Sequence, residues 1–217
     1  MATARRNEAP AEDERRSARK RRAILAAATT AFLRHGYRGT SMDEIAALAA
    51  VSKQTVYKHF ADKERLFSEI VVSTVEEAGD RVHEEVLGLT DSGDVEADLR
   101  ELARRQLALV MQPRVLQLRR LVIAEAGRFP DLGRTFYEQG PGRTIAALAE
   151  AFERLAARGA LTLDDPLLAA QHFNWLVMSV PLNEAMLLGH DVAPAQAQLD
   201  RYADAGVRVF LAAYGRD

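Results

Sequence analysis

Cysteine is absent from all 217 residues, which excludes disulfides, thiolate metal sites and cysteine nucleophiles. Aromatic residues make up only 6%, with a single tryptophan. No long apolar run exists: the longest nearly apolar stretch, Phe173 to Leu182, is far shorter than the ~20 residues a membrane helix needs. The start of the chain is charged from Arg5 onward and lacks an apolar segment of signal-peptide type, so a cytoplasmic location is expected. Gly-rich phosphate loops, G-x-S-x-G elbows and H-E-x-x-H pairs are all missing, leaving no catalytic signature and no call for a cofactor.

What is present is 48% hydrophobic residues, enough for a sizeable core, and a charge that is unevenly placed. Residues 1–60 hold 12 Lys or Arg against 6 Asp or Glu, whereas residues 61–217 hold 17 against 25. A polyanion would therefore approach the first part of the chain, although the same basic residues would also serve to solvate a tail and first helix.

Apolar residues recur at helical spacing from about Ser17 onward, and no segment alternates as a strand does, so an all-α fold is expected. Residues 1–16 lack periodicity and read as a disordered basic arm. A helix from Ser17 to His35 would bury Ile24, Ala28, Ala31 and Phe32, with Gly36 as a left-handed C′ residue. Ser41 and Glu44 form a capping box ahead of a short helix burying Ile45, Leu48 and Ala49. After the Ala50-Val51 turn, Ser52 caps a second short helix, Lys53 to Phe60, anchored by Val56 and Phe60. Asp62 caps a longer one, 63 to about 87, with Leu66, Phe67, Ile70, Val71, Val75, Ala78 and Val82 as its stripe.

Further helices are expected at about 94–111, 114–128, 131–139, 142–158, 165–189 and 194–214. Breaks fall at Ser92-Gly93, Pro113, Pro130, Gly140-Pro141-Gly142, Gly159 and Gly189 to Ala193. Pro181 should kink the helix it occupies, since the apolar pattern resumes beyond it. The domain plan is thus a three-helix domain over 17–63 and a larger helical domain over 64–217.

Two short helices joined by a tight turn make a helix-turn-helix, whose second helix fits the major groove. Gln54 suits adenine, Lys53 or Lys58 suits guanine or phosphate, and Thr55 suits a thymine methyl or base edge. Tyr57 and His59 are better placed for phosphates, and Thr40 and Lys63 would clamp the backbone beside the groove.

The set Gly36-Tyr37, Thr40, Ile45-Ala46, Ala49, Val51-Ser52-Lys53, Thr55-Val56-Tyr57, His59-Phe60 and Lys63-Glu64 resembles the TetR-family DNA-binding signature over about residues 18–67. The resemblance implies contact roles for Thr40, Ser52, Lys53, Gln54, Thr55, Tyr57, Lys58, His59 and Lys63. It also implies a homodimer through helices 165–189 and 194–214, reading a palindromic double-stranded DNA operator, and a repressor released by a small-molecule effector. Ala50 departs from the family, whose members often carry glycine in this turn; a left-handed backbone there would cost alanine about 1 kcal/mol.

An apolar or aromatic effector is expected among the central helices, lined by Met111, Phe136, Tyr137, His172, Asn174, Trp175 and Met178. The same side chains would also serve as ordinary core. Two rival readings stand beside this one. Glu76, Asp80, His83 and Glu84 share a helix face and resemble half of a carboxylate metal site, without the second half elsewhere. Alternatively, the C-terminal helices form a protein-interaction module, with non-specific DNA affinity from the basic segment.

Overall fold

The computed structural model describes residues 8–89, 93–188 and 194–216. Among them the fold is all-helical, with one isolated antiparallel bridge between Leu161 and Gly215. The chain forms two compact units, one ending at Val71 and the other beginning at Val72. The boundary therefore falls inside the fourth helix rather than at its start.

The first unit holds α1 (Glu8–Gly39), α2 (Met42–Leu48), α3 (Lys53–His59) and the beginning of α4 (Lys63–Gly88). Where a structureless arm is expected over 1–16, helix begins at Glu8; residues 1–7 lie outside the described residues. Ala, Glu and Arg are good helix formers, and Pro10 sits in the first turn, where its missing N–H breaks no helical bond.

The core of this unit is Ile24, Ala28, Phe32, Ile45, Val56, Leu66 and Phe67, all buried. Phe32, Tyr37 and Phe67 form an aromatic triad, Phe67 lying 5.1 Å from each of the other two ring centroids. In α2 the buried face is Met42, Ile45 and Ala46; Leu48, expected inside, is 56% exposed. The stripe starts one turn earlier than the sequence suggested, because Met42 faces the core and, at helical spacing, turns Leu48 outward.

Chain reversals in this unit are fixed by side chains. Ser41 Oγ accepts from Glu44 N at 3.1 Å, Ser52 Oγ from Thr55 N at 3.1 Å, and Asp62 Oδ1 from Arg65 N at 2.7 Å. The reciprocal half of the capping box is absent, since Glu44 Oε1 instead faces His35 Nε2 at 3.3 Å. Gly36 has positive φ, as expected, but φ 72° and ψ 172° place it outside the left-handed helical region, where glycine alone is at ease. Ala50 is left-handed at φ 52°, so the turn keeps the family-like geometry and the surrounding packing absorbs alanine's strain.

The second unit holds the rest of α4, then α5 (Val95–Val110), α6 (Pro113–Glu125), α7 (Pro130–Tyr137), α8 (Arg143–Ala157), α9 (Pro166–Leu188) and α10 (Gln196–Tyr214). Its core centres on Leu99, Leu107, Leu148, Phe152, Phe173, Val177, Val207 and Phe210. The helices α9 and α10 approach closely at Gly206, where an added Cβ would stand 2.8 Å from Leu176 O. An ion pair, Arg104 with Asp204 at 2.6 and 2.7 Å, ties α5 to α10.

Two breaks read differently here. The Gly140-Pro141-Gly142 stretch does not interrupt the chain's helical path: a π-helical turn, Glu138–Gly142, joins α7 to α8 and accommodates Pro141. Gly140 is required for space, because a Cβ there would meet Val75 Cγ1 at 2.9 Å. Pro181 lies within an α9 that continues to Leu188. Nearby backbone groups find side-chain partners: Val180 N–H donates to Tyr202 Oη at 3.3 Å, and Asn183 Nδ2 to Ser179 O at 2.7 Å. Ser92, Gly189 to Ala193, and the side chains of Ala78 and Val82 lie outside the described residues.

Candidate nucleic-acid interface and ligand cavity

The outward side of α3 is built by burying its opposite side. Val56 and the following Phe60 are buried, which leaves Ser52, Lys53, Gln54, Tyr57 and Lys58 exposed, with Thr55 and His59 half-buried. Arg21 of α1 braces this arrangement, lying 5.3 Å over the Phe60 ring and ion-paired with Glu69. A cleft of about 430 Å³ separates α1 from α3, bordered by Asp13, Glu14, Arg16, Lys20, Lys58 and His59.

The nine predicted contact residues do not form one class. Gln54, Tyr57 and Lys58 project outward. Ser52 and Thr55 are engaged as a cap, their hydroxyls 2.8 Å apart. Lys53 pairs with Asp43 of α2 at 2.8 Å, and that bond raises the lysine pKa above its ordinary value. Burial, then the cations Arg21, Lys58 and Lys20, lower the pKa of His59. Its imidazole is thus neutral at pH 7, suited to accept or donate a hydrogen bond rather than to act as a standing cation.

Thr40 and Lys63 are structural instead of outward-facing. Thr40 is 2% exposed and donates its hydroxyl to Gly36 O at 2.9 Å. Lys63 Nζ donates to Tyr37 O at 2.9 Å and Thr40 O at 2.8 Å, and lies 4.5 Å over the Tyr37 ring. Both hold the α1–α2 connection to α4, so the clamp they form is on the protein's own backbone. Tyr37 accounts for this: its ring and carbonyl offer a cation site that helical periodicity alone does not reveal.

A second feature is a cavity of about 350 Å³ in the second unit, among α4, α5, α6, α7, α8 and α9. Of the expected lining residues it includes Phe136, Tyr137, Asn174, Trp175 and Met178. Met111 packs instead between the core clusters. His172 hydrogen-bonds through Nδ1 to Tyr214 Oη at 2.6 Å, a satisfied histidine rather than a ligand group.

Sequence reading missed Gln106 and Arg119. The signal for Arg119 was available: Val115, Arg119 and Val122 share one face of α6, placing a cation on an apolar stripe.

The metal alternative finds no support. Asp80 is held by Arg143 at 2.7 Å, and among the described residues no group of three or more His, Asp or Glu converges. Among those residues, too, no helix is long and apolar enough to cross a membrane.

A helix-turn-helix with an exposed polar second helix, followed by a helical unit enclosing a cavity, defines the class of helical transcriptional regulators. The comparisons place the chain within that class. The family described as bacterial regulatory proteins, tetR family, matches residues 24–70. That described as AefR-like transcriptional repressor, C-terminal domain, matches residues 97–216. The chain belongs to the TetR family of DNA-binding transcriptional regulators, most of them dimeric repressors released by small molecules.

Among solved structures, a TetR-family regulator from Mesorhizobium loti MAFF303099 is 48% identical, covering 93% of this chain and 99% of that one, with a TM-score of 0.87. The flavonoid-responsive regulator FrrA is 34% identical, covering 91% and 98%, with a TM-score of 0.69. The uncharacterized HTH-type regulator YhgD of Bacillus subtilis is 42% identical over 65 residues, 30% of this chain and 34% of that protein. The chain thus matches about a third of the length of that curated relative.

Proposed function

We propose that this protein is a homodimeric repressor that reads a palindromic operator through α3 and is released when a small apolar molecule enters the cavity of its second unit. The observation that carries the first part is the outward set Gln54, Tyr57 and Lys58 on a helix anchored by Val56. Gln54 offers bidentate bonding to adenine, Lys58 a charge for guanine or phosphate, and Tyr57 a hydroxyl for the backbone. Lys53 would read DNA only by exchanging Asp43 for a base or phosphate, and Thr40 and Lys63 support the interface without touching it.

Dimerisation is supported by exposed apolar side chains on the last two helices: Leu167, Leu168, Val180, Leu187 and Leu188 on α9, and Val209 on α10. Phe173, Val177, Leu199, Val207 and Phe210 of the same two helices are intrachain core. Exposed apolar surface on this scale favours burial against a second copy.

The switch would work by differential affinity, the ligand preferring a dimer geometry that misfits DNA. The helix α4 is the candidate connector. It carries Lys63, Leu66 and Phe67 in the first unit, and Thr74, Val75 and Gly79 of the cavity wall in the second. FrrA's flavonoid response is in keeping with a planar or apolar effector here.

The test is selection of bound duplexes from a random pool at fixed near-physiological salt, with the unaltered protein and with Tyr57→Ala. A palindrome should be enriched, and Tyr57→Ala should weaken its binding by about tenfold. Sequence-blind binding with a steep salt dependence would instead favour an interaction module with only electrostatic DNA affinity.

A further inference from the structure

The cavity is mostly apolar, and two of its polar groups are incompletely satisfied. Gln106 donates from Nε2 to Asn174 Oδ1 at 3.3 Å, while Oε1 of the same amide is buried without a hydrogen-bond partner. Arg119 Nε is also buried without one. The Arg119 guanidinium carbon lies 5.3 Å over the Phe136 ring, and no Asp or Glu is among the described residues that line the cavity.

A guanidinium remains charged at any physiological pH, and enclosing it without an anion is costly. Burial accordingly lowers the pKa of Arg119, the direction that an opposing carboxylate would reverse. Cationic ligands are disfavoured, since the wall offers them a repelling charge and no acid. Polyanions fit poorly too, because Arg119 is the single cation among the described lining residues.

We propose that the cavity takes a hydrophobic monocarboxylate, its carboxylate paired with Arg119 and its apolar body lying against Val110, Leu118, Phe136 and Met178. The planar fork of arginine suits a two-oxygen anion, and an apolar wall around it strengthens each charge-assisted bond. This inference rests on the cavity being the effector site and adds the chemical class of its occupant.

Trp175 is the sole tryptophan and lines the cavity, so its emission reports occupancy without a label. The experiment uses the full chain and two matched pairs of probes, decanoate with decanamide and 2-naphthoate with 2-naphthamide. Calorimetry measures affinity for all four, and Trp175 emission follows the aliphatic pair. At least one acid should bind about tenfold more tightly than its amide. Arg119→Gln should remove that preference by weakening the acid far more than the amide. Arg119→Met serves as a second variant, because an apolar replacement suits the apolar wall and keeps the fold.

Equal binding of acid and amide, a preference that survives loss of Arg119, or no binding of either acid overturns the inference. Val110→Trp, which fills the cavity, separates this from failure of the effector-site reading. If the acids still bind that variant, the ligand sits elsewhere and both readings fall. If filling abolishes binding but acid and amide were equal, only the role of Arg119 is lost.

Discussion

The two units treat their polar groups and interior space in opposite ways. In the first, Ser41, Ser52 and Asp62 cap three helices, Thr40 and Lys63 tie α1 to α4, and Phe32, Tyr37 and Phe67 fill the space between. In the second, a helical wall interrupted by a π turn surrounds a cavity that leaves Gln106 Oε1 and Arg119 Nε without partners. A surface that must match a groove benefits from side chains locked by packing, whereas a site that must respond to a ligand needs unspent interactions.

The sharpest way to break that contrast is to remove one aromatic ring from each unit. Phe67 is fully buried, so Phe67→Ala should cost about 3–5 kcal/mol and abolish DNA binding with it. Phe136 stands half-buried at the cavity wall, and Phe136→Ala should cost under about 1.5 kcal/mol because it enlarges space already open. Urea unfolding of both variants measures this. Equal losses would mean that the cavity wall is as tightly packed as the N-terminal core.

A smaller effect concerns strain stored in the reading unit. Ala50→Gly should stabilise the protein by up to about 1 kcal/mol, relief of the left-handed backbone outweighing glycine's added freedom in the unfolded chain. An unchanged or lower melting temperature would show that the turn holds no such strain.

The smallest effect belongs to the second unit. Hydrogen bonds from Arg104 hold the Asp204 carboxyl below its ordinary value of 3.8. Because the folded value is the lower one, the pair's contribution is present above the unfolded value and fades as pH falls through the folded one. Asp204→Asn should therefore lose a little stability at pH 7, and the loss should shrink as pH falls below the unfolded carboxyl's range. A deficit that persists in acid would assign the loss to packing instead of charge.

Much of the first unit was legible because its determinants are local. A capping serine lies three residues from the amide it receives, and Val56 and Phe60 lie one turn apart, so spacing alone oriented α3. Neighbours decided what spacing did not: Met42 displaced Leu48 from the core, and the Tyr37 carbonyl and ring hold Lys63 Nζ. In the second unit helix positions were equally readable, but the cavity was not. Met111 caps α5 and His172 sits on α9, yet their environment depends on which neighbours pack against them.

Pattern and capping chemistry by themselves determined an all-helical chain, the short helices of the reading unit, and the polar set carried by α3, since each depends on residues within about one turn of one another. Only the tertiary structure decided that Lys63 and Thr40 bond to the protein's own backbone, that Gly140 to Gly142 carries the helix onward, and that Arg119 borders an apolar cavity with no carboxylate among the described lining residues. Those outcomes are set by contacts between residues far apart in the chain, where burial and the geometry of the neighbour decide whether a charge is solvated, paired or left for a ligand.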